Sequence, residues 1–129
     1  MPTTTVTPMQ LVDSVYAAFA RGDITYIVSL VAPGAPWRQS RFMPWGGDFQ
    51  GPSGAVEFFQ KLDAAAQTTG FVVHDNVQVG NEVFSFGRHE AILRATGKSA
   101  LIEFMFRWRV ENGQIVSYQS YVDSAAVQA

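Results

Sequence analysis

Apolar residues recur at helical spacing through the first half of the chain and alternate with polar ones through most of the second. Thr7-Pro8-Met9-Gln10 reads as a helix start: Thr7 caps, Pro8 suits the first helical position, and Gln10 completes a capping box. Leu11, Val12, Val15, Tyr16 and Phe19 then keep to one face until Gly22 stops the run. Asp23 caps a short second helix with Ile24, Ile27, Leu30 and Val31 inward, and Pro33-Gly34 ends it. From Ala35 to Gly51, prolines and tryptophans occur with no period, and the stretch reads as irregular. Gly51-Pro52 opens a third helix whose stripe is Ala55, Val56, Phe59, Leu62 and Ala66, closed by Thr68-Thr69-Gly70.

The alternating half predicts strands at Phe71–Val79, Glu82–Thr96, Ser99–Val110 and Gln114–Val122. The turn dipeptides Gly80-Asn81, Gly97-Lys98 and Asn112-Gly113 separate them. Consecutive hairpins make an antiparallel meander, and helices followed by a meander make an α+β fold with the helices on one sheet face. Strands this long must curl, which leaves a cone-shaped interior. Ile102, Phe104, Phe106, Trp108 and Val110 share the inward face of one strand. On the preceding strand the matching face carries Val83, Ser85, Gly87, His89, Ala91 and Leu93, and its small residues leave space for a ligand.

Composition sharpens this picture. The chain has 129 residues, which suits a single domain spanning 1–129 with residues 1–7 as a loose tail. Apolar residues make up 47% and charged ones only 16%, against a usual ~25% charged. Aromatics reach 13%, with ten Phe among them. One small core does not need so much apolar surface, so the excess predicts an apolar pocket, a partner interface, or both. The absence of Cys excludes disulfides, thiolate metal sites and a cysteine nucleophile. A net charge of -2 argues against a nucleic-acid partner. The start of the chain is polar and Thr-rich, and no apolar window approaches the ~20 residues of a membrane span, so a cytoplasmic protein with no membrane partner is expected. The two histidines lack metal-ligand spacing, and neither a metal nor a cofactor is expected.

Several motifs in order carry a family resemblance. Phe19-Ala20-Arg21-Gly22-Asp23 ends the first helix, Trp37 follows the second, and Gly51 opens the third. Phe86-Gly87-Arg88, Thr96-Gly97-Lys98, Trp108-Arg109-Val110-Glu111-Asn112-Gly113 and Tyr121-Val122-Asp123 follow. From Met9 to Asp123 the chain resembles the SnoaL-like and ketosteroid-isomerase-like proteins of the nuclear transport factor 2-like superfamily. That resemblance implies a cone-shaped α+β fold, a deep apolar pocket and a homodimer through the outer sheet face. It does not choose a reaction, because the superfamily includes isomerases, polyketide cyclases, dehydratases, epoxide hydrolases and non-catalytic binders.

Ketosteroid isomerases use a carboxylate base, a tyrosine and a protonated carboxylic acid. By resemblance those positions fall at Gln39, at Val15 (with Tyr16 one residue on) and at Phe106. None of the three carries the required group, so the steroid double-bond shift by that mechanism is not expected. The relay of the epoxide hydrolases is missing too, since no strand holds Arg-x-Asp.

The remaining candidates are His89 as general acid or base, Tyr118 to orient a ligand carbonyl, and Asp123, matched to the late-strand carboxylate of SnoaL-like cyclases. Against each stands a structural role: a core histidine, an aromatic wall residue and a turn or cap carboxylate. Val15, Phe19, Val31, Trp37, Gln39, Phe59, Leu93, Phe106 and Ser120 are expected to line the pocket. Trp37, Phe42, Met43 and Trp45 are expected to cover its mouth, with Arg38 and Gln39 near a ligand's polar end. His74 and Asp75 are adjacent on a strand and are expected to point apart.

Three functions stay open. The chain is an enzyme that isomerises, cyclises or hydrates an apolar carbonyl or polyketide-like compound by proton transfer alone, a non-catalytic binder of a small apolar ligand, or a structural protein whose cone is filled by its own Phe residues. An empty cavity bearing His89 and Tyr118 favours the first.

Overall fold

The computed structural model describes residues 6–127. The helices are α1 (Pro8–Ala20), α2 (Ile24–Ser29) and α3 (Gly51–Ala65). The strands are β1 (Pro36–Gln39), β2 (Gly47–Gln50), β3 (Ala66–Val79), β4 (Glu82–Leu93), β5 (Ser99–Glu111) and β6 (Gln114–Val122), followed by a 3₁₀ turn at Ser124–Val127. The strands form a single curved sheet in the order β2-β1-β6-β5-β4-β3. β3 to β6 make the expected meander, and the helices close its concave side into an α+β cone.

Local chemistry sets the helix boundaries. The Thr7 side chain accepts from the Gln10 amide at 3.1 Å, and Gln10 Oε1 accepts from the Thr7 N–H at 2.9 Å. This reciprocal pair satisfies donors that helix geometry leaves free. Thr7, counted into the expected tail, is therefore the N-cap of α1, while residues 1–5 lie outside the described residues. Asp23 caps α2 through the Tyr26 N–H.

The structure corrects the sequence reading in three places. The stretch from Ala35 to Gly51 holds a short hairpin, β1 with β2, and β1 runs parallel to β6. The sheet is therefore mixed rather than wholly antiparallel. Strands of four residues are too short to show a period. α3 ends at Ala65, so Thr68-Thr69-Gly70 opens β3 instead of closing a helix. The β-branched threonines favour extended backbone. The buried face of α3 runs through Ala55, Phe58 and Leu62, and Val56 faces outward. Gly54 brings α3 close to β2: a Cβ there would lie 3.1 Å from Phe49. Phe58 is buried on this helix and Phe59 half-buried.

Alternation in β4 and β5 matches the expected faces, with Val83, Ser85, His89, Ala91, Ile102, Phe104 and Trp108 all buried. β3 behaves differently. Register shifts at Thr68/Gly70 and Val73/Asp75 each leave one residue unpaired. These β-bulges switch which residues face inward, so Ala66, Thr68, Phe71, Val73, Asn76 and Gln78 all oppose the inner face of β4.

Candidate functional site

The cone contains a cavity of about 60 Å³. α1 contributes Val15, Tyr16 and Phe19, α2 contributes Ile27, and α3 contributes Phe58, Phe59 and Leu62. The sheet contributes Trp37, Gln39, Phe71, His89, Ile102, Phe104, Phe106, Trp108, Tyr118 and Val122. Met43 and Trp45, from the loop between β1 and β2, complete the lining.

Most of the wall is aromatic and mutually packed. Phe104 stacks on Phe106 with centroids 3.9 Å apart and rings within 6° of parallel. Trp37 lies 4.4 Å from Tyr118 and 5.7 Å from Trp108. The loop over the cavity is pinned by Lys61 Nζ, which donates to the Gly46 carbonyl at 2.6 Å. Trp45 then sits edge-on to the His89 ring at 5.8 Å.

A few polar atoms interrupt this wall. His89 is 7% exposed, and its Nε2 lies 2.8 Å from Thr68 Oγ1. Burial lowers its pKa from 6.5 to about 4, because the cation would lose its hydration inside the cone. His89 is therefore neutral near pH 7 and able to accept a proton. Tyr118 Oη donates to Gln39 Oε1 at 3.4 Å, and burial pushes the phenol well above its ordinary range. Tyr118 thus stays a donor at all ordinary pH values. The Trp37 indole N–H is buried and meets no acceptor among the described residues. Trp108 Nε1 donates to Tyr16 Oη at 2.8 Å. Tyr16 is also raised in pKa, first by burial.

The expected site residues divide into those the cone brings together and those it does not. His89, Tyr118, Val15, Phe19, Trp37, Gln39, Phe59 and Phe106 line one cavity. Val31 is buried in a bridge to Ile115, and Ser120 is buried behind the wall. Leu93 packs half-buried against the core, and none of these three reaches the cavity. Asp123 is exposed, and its carboxylate accepts from the Ala125 N–H at the start of the 3₁₀ turn. It follows the end of β6, is not among the residues lining the cavity, and serves as a cap. In the expected cover, Met43 and Trp45 are inside, while Phe42 is 66% exposed. Arg38 is exposed and borders a groove on the outer sheet face with Glu82 and Arg107, away from Gln39.

His74 and Asp75 do pair, at 3.2 Å. The bulge between Val73 and Asp75 breaks the alternation that would have parted them. Both side chains are exposed and neither lines the cavity. Among the residues that sequence reasoning missed are Phe58, Phe71 and Val122 of the cavity wall and, bonded to His89, Thr68. The only signal of Thr68 was a pair of β-branched residues before a glycine. Among the described residues, no group of three or more His, Asp or Glu side chains could hold a metal ion. No helix among them is long and apolar enough to cross a membrane.

Comparisons with known proteins agree with this fold. The sequence profile described as the SnoaL-like domain matches residues 12–118. A nuclear transport factor 2-like protein from Burkholderia thailandensis superimposes with a TM-score of 0.90 at 28% identity, covering 96% of both chains. TerC, crystallised with polyporic acid, superimposes with a TM-score of 0.83 at 22% identity, covering 94% of this chain and 95% of its own. A protein from Mesorhizobium loti, named as a candidate SnoaL-like polyketide cyclase, superimposes at 0.74 with 16% identity, covering 89% of this chain and 98% of its own. The latter two likenesses concern the fold alone. No curated protein matches the sequence significantly.

Proposed function

The chain belongs to the SnoaL-like domain family, and from that premise we propose that it binds a small apolar carbonyl or polyketide-like compound in the cone and moves a proton on it through His89. The observation that carries this reading is a neutral, buried imidazole on the wall of an aromatic cavity. A base held neutral at pH 7 can take a proton from a carbon beside a carbonyl. The orphaned Trp37 N–H supports a carbonyl-bearing ligand, because a buried donor without an acceptor is costly and a ligand oxygen would satisfy it. The co-crystallisation of TerC with polyporic acid and the cyclase name of the Mesorhizobium loti protein support the same class.

The cavity of about 60 Å³ is well under the ~150 Å³ of an apolar cavity that takes up benzene. A carbonyl compound therefore enters by displacing rings. Phe19, Phe59 and Phe71 are half-buried and also border an open groove outside, so they are the side chains expected to swing. A second reading, a non-catalytic binder, draws on Gln39 and Phe106, which stand where related isomerases carry acids.

Deuterium exchange at the α-carbon tests the chemistry without knowledge of the natural product. The probes are 1-tetralone, 1-indanone and related aromatic ketones in D₂O, followed by NMR. Exchange should exceed background and fall on the order of 10²-fold in His89→Ala. Binding without exchange favours the non-catalytic reading. Exchange that survives in His89→Ala removes His89 from the mechanism.

We also propose a homodimer through the outer sheet face. Phe86, Leu101, Tyr121 and Val72 are between 39% and 50% exposed there, beside the cross-strand pair Arg107–Glu82 at 2.6 Å. So much exposed apolar area on one face is unusual for a solvated sheet. Sedimentation equilibrium should give twice the chain mass of 14.2 kDa, and a monomer at micromolar concentration would rule the dimer out.

A further inference from the structure

We propose that Thr68 is the proton port of His89: its hydroxyl connects the buried imidazole to the open groove outside, so that one ring nitrogen exchanges with solvent while the other serves the cavity. This rests on the reading of His89 as the proton carrier.

The geometry begins with the first bulge of β3. Thr68 pairs with Ala91 and Gly70 with Glu90, which leaves Thr69 unpaired. The bulge keeps Thr68 on the inner face while Phe71 takes the place opposite His89. Thr68 Oγ1 then reaches His89 Nε2 at 2.8 Å. Thr68 itself is exposed and borders the groove between α2, α3 and the start of β3. His89 lines the inner cavity and not the groove, whereas Thr68 lines the groove and not the cavity. The residues common to both walls are Phe19, Phe59, Leu62 and Phe71, none with a polar side chain. The hydrogen bond from Thr68 to His89 is thus a polar crossing through an otherwise apolar partition.

A hydroxyl suits this crossing because it both donates and accepts and can rotate to meet either imidazole tautomer. No group among the described residues bonds Nδ1 in the hydrogen-bond network, which leaves that nitrogen for a ligand. A proton leaving a ligand carbon bonds to Nδ1. The proton on Nε2 passes to Thr68 Oγ1, and Thr68 releases its own hydroxyl proton to water in the groove. One proton has then moved from cavity to solvent, and the ring is left as the other tautomer. The route runs backward to protonate the product carbon. It avoids a lasting imidazolium, which burial disfavours at this position.

The test compares the wild type with Thr68→Val, which keeps the shape and β-branching, and with Thr68→Ser, which keeps the hydroxyl. ¹⁵N NMR of the imidazole nitrogens near pH 7 reads the tautomers and their interconversion, with amide spectra as the check on folding. Interconversion at His89 should slow by at least about tenfold in Thr68→Val and stay near wild type in Thr68→Ser. Deuterium exchange into 1-tetralone should follow the same order. Unchanged tautomers and an unchanged rate in Thr68→Val would overturn the port. Failure of His89→Ala to alter ketone exchange would instead sink the proposed function, with the NMR result still standing, so the two failures are distinguishable.

Discussion

Replacing Gly87 with alanine is expected to destabilise the domain by about 3 kcal/mol or more, the upper end for overpacking a core. A Cβ at this position would lie 2.0 Å from the Val72 carbonyl oxygen and 2.8 Å from Phe104 Cζ. The first clash is with backbone in the neighbouring strand, so no rotamer change relieves it. Val73 pairs with Gly87, and the second bulge of β3 follows directly. Relief would mean parting β3 from β4 where the sheet bends over the cavity. The second clash pushes Phe104 against Phe106, whose ring is already stacked on it. Urea unfolding of the wild type and of Gly87→Ala measures the difference. A change below about 1 kcal/mol would mean that the strands separate more easily than their packing suggests.

Gly87 also shows where the sequence could be read and where it could not. The alternation through β4 and β5 placed Gly87 and His89 on the inner face, because a period of two is dictated by the strand itself. The small residues of that face were expected to leave room for a ligand. At Gly87 the room is taken by the backbone of β3 and the ring of Phe104, and Ser85 is fully buried with its hydroxyl bonded to Asn76. The open space lies only beside His89. What fills a gap comes from another strand, and its approach depends on bulges that leave little trace in a single sequence. The same cause hid Thr68 and brought His74 against Asp75. Helix α1 was legible to its cap, because the signals of a capping box lie within a few residues of one another. The hairpin of β1 and β2 was not, since its stability comes from pairing with β6, far along the chain.

The stability of the domain should fall by about 3 kcal/mol through His89 alone as pH drops from neutral to 4. The sign follows from which state takes the proton first. An unfolded chain protonates this histidine near its ordinary pKa of 6.5, whereas burial holds it to about 4 in the fold. Above pH 6.5 both states are neutral and the full stability is present. Between 6.5 and 4 the unfolded state binds a proton that the folded state refuses, and stability is lost progressively. Below 4 both are charged and this group contributes no further loss. Carboxylates titrate in the lower part of the same window, so the comparison needs a variant. His89→Gln should unfold in urea with a shallower dependence on pH between 6.5 and 4, its curve converging with that of the wild type toward acid. The wild-type acid limb for ketone exchange should also lie near pH 4 instead of 6.5, since the base stays neutral until then. Parallel stability curves for the two proteins, or an acid limb near 6.5, would place the imidazole in contact with bulk water and remove it from the interior of the cone.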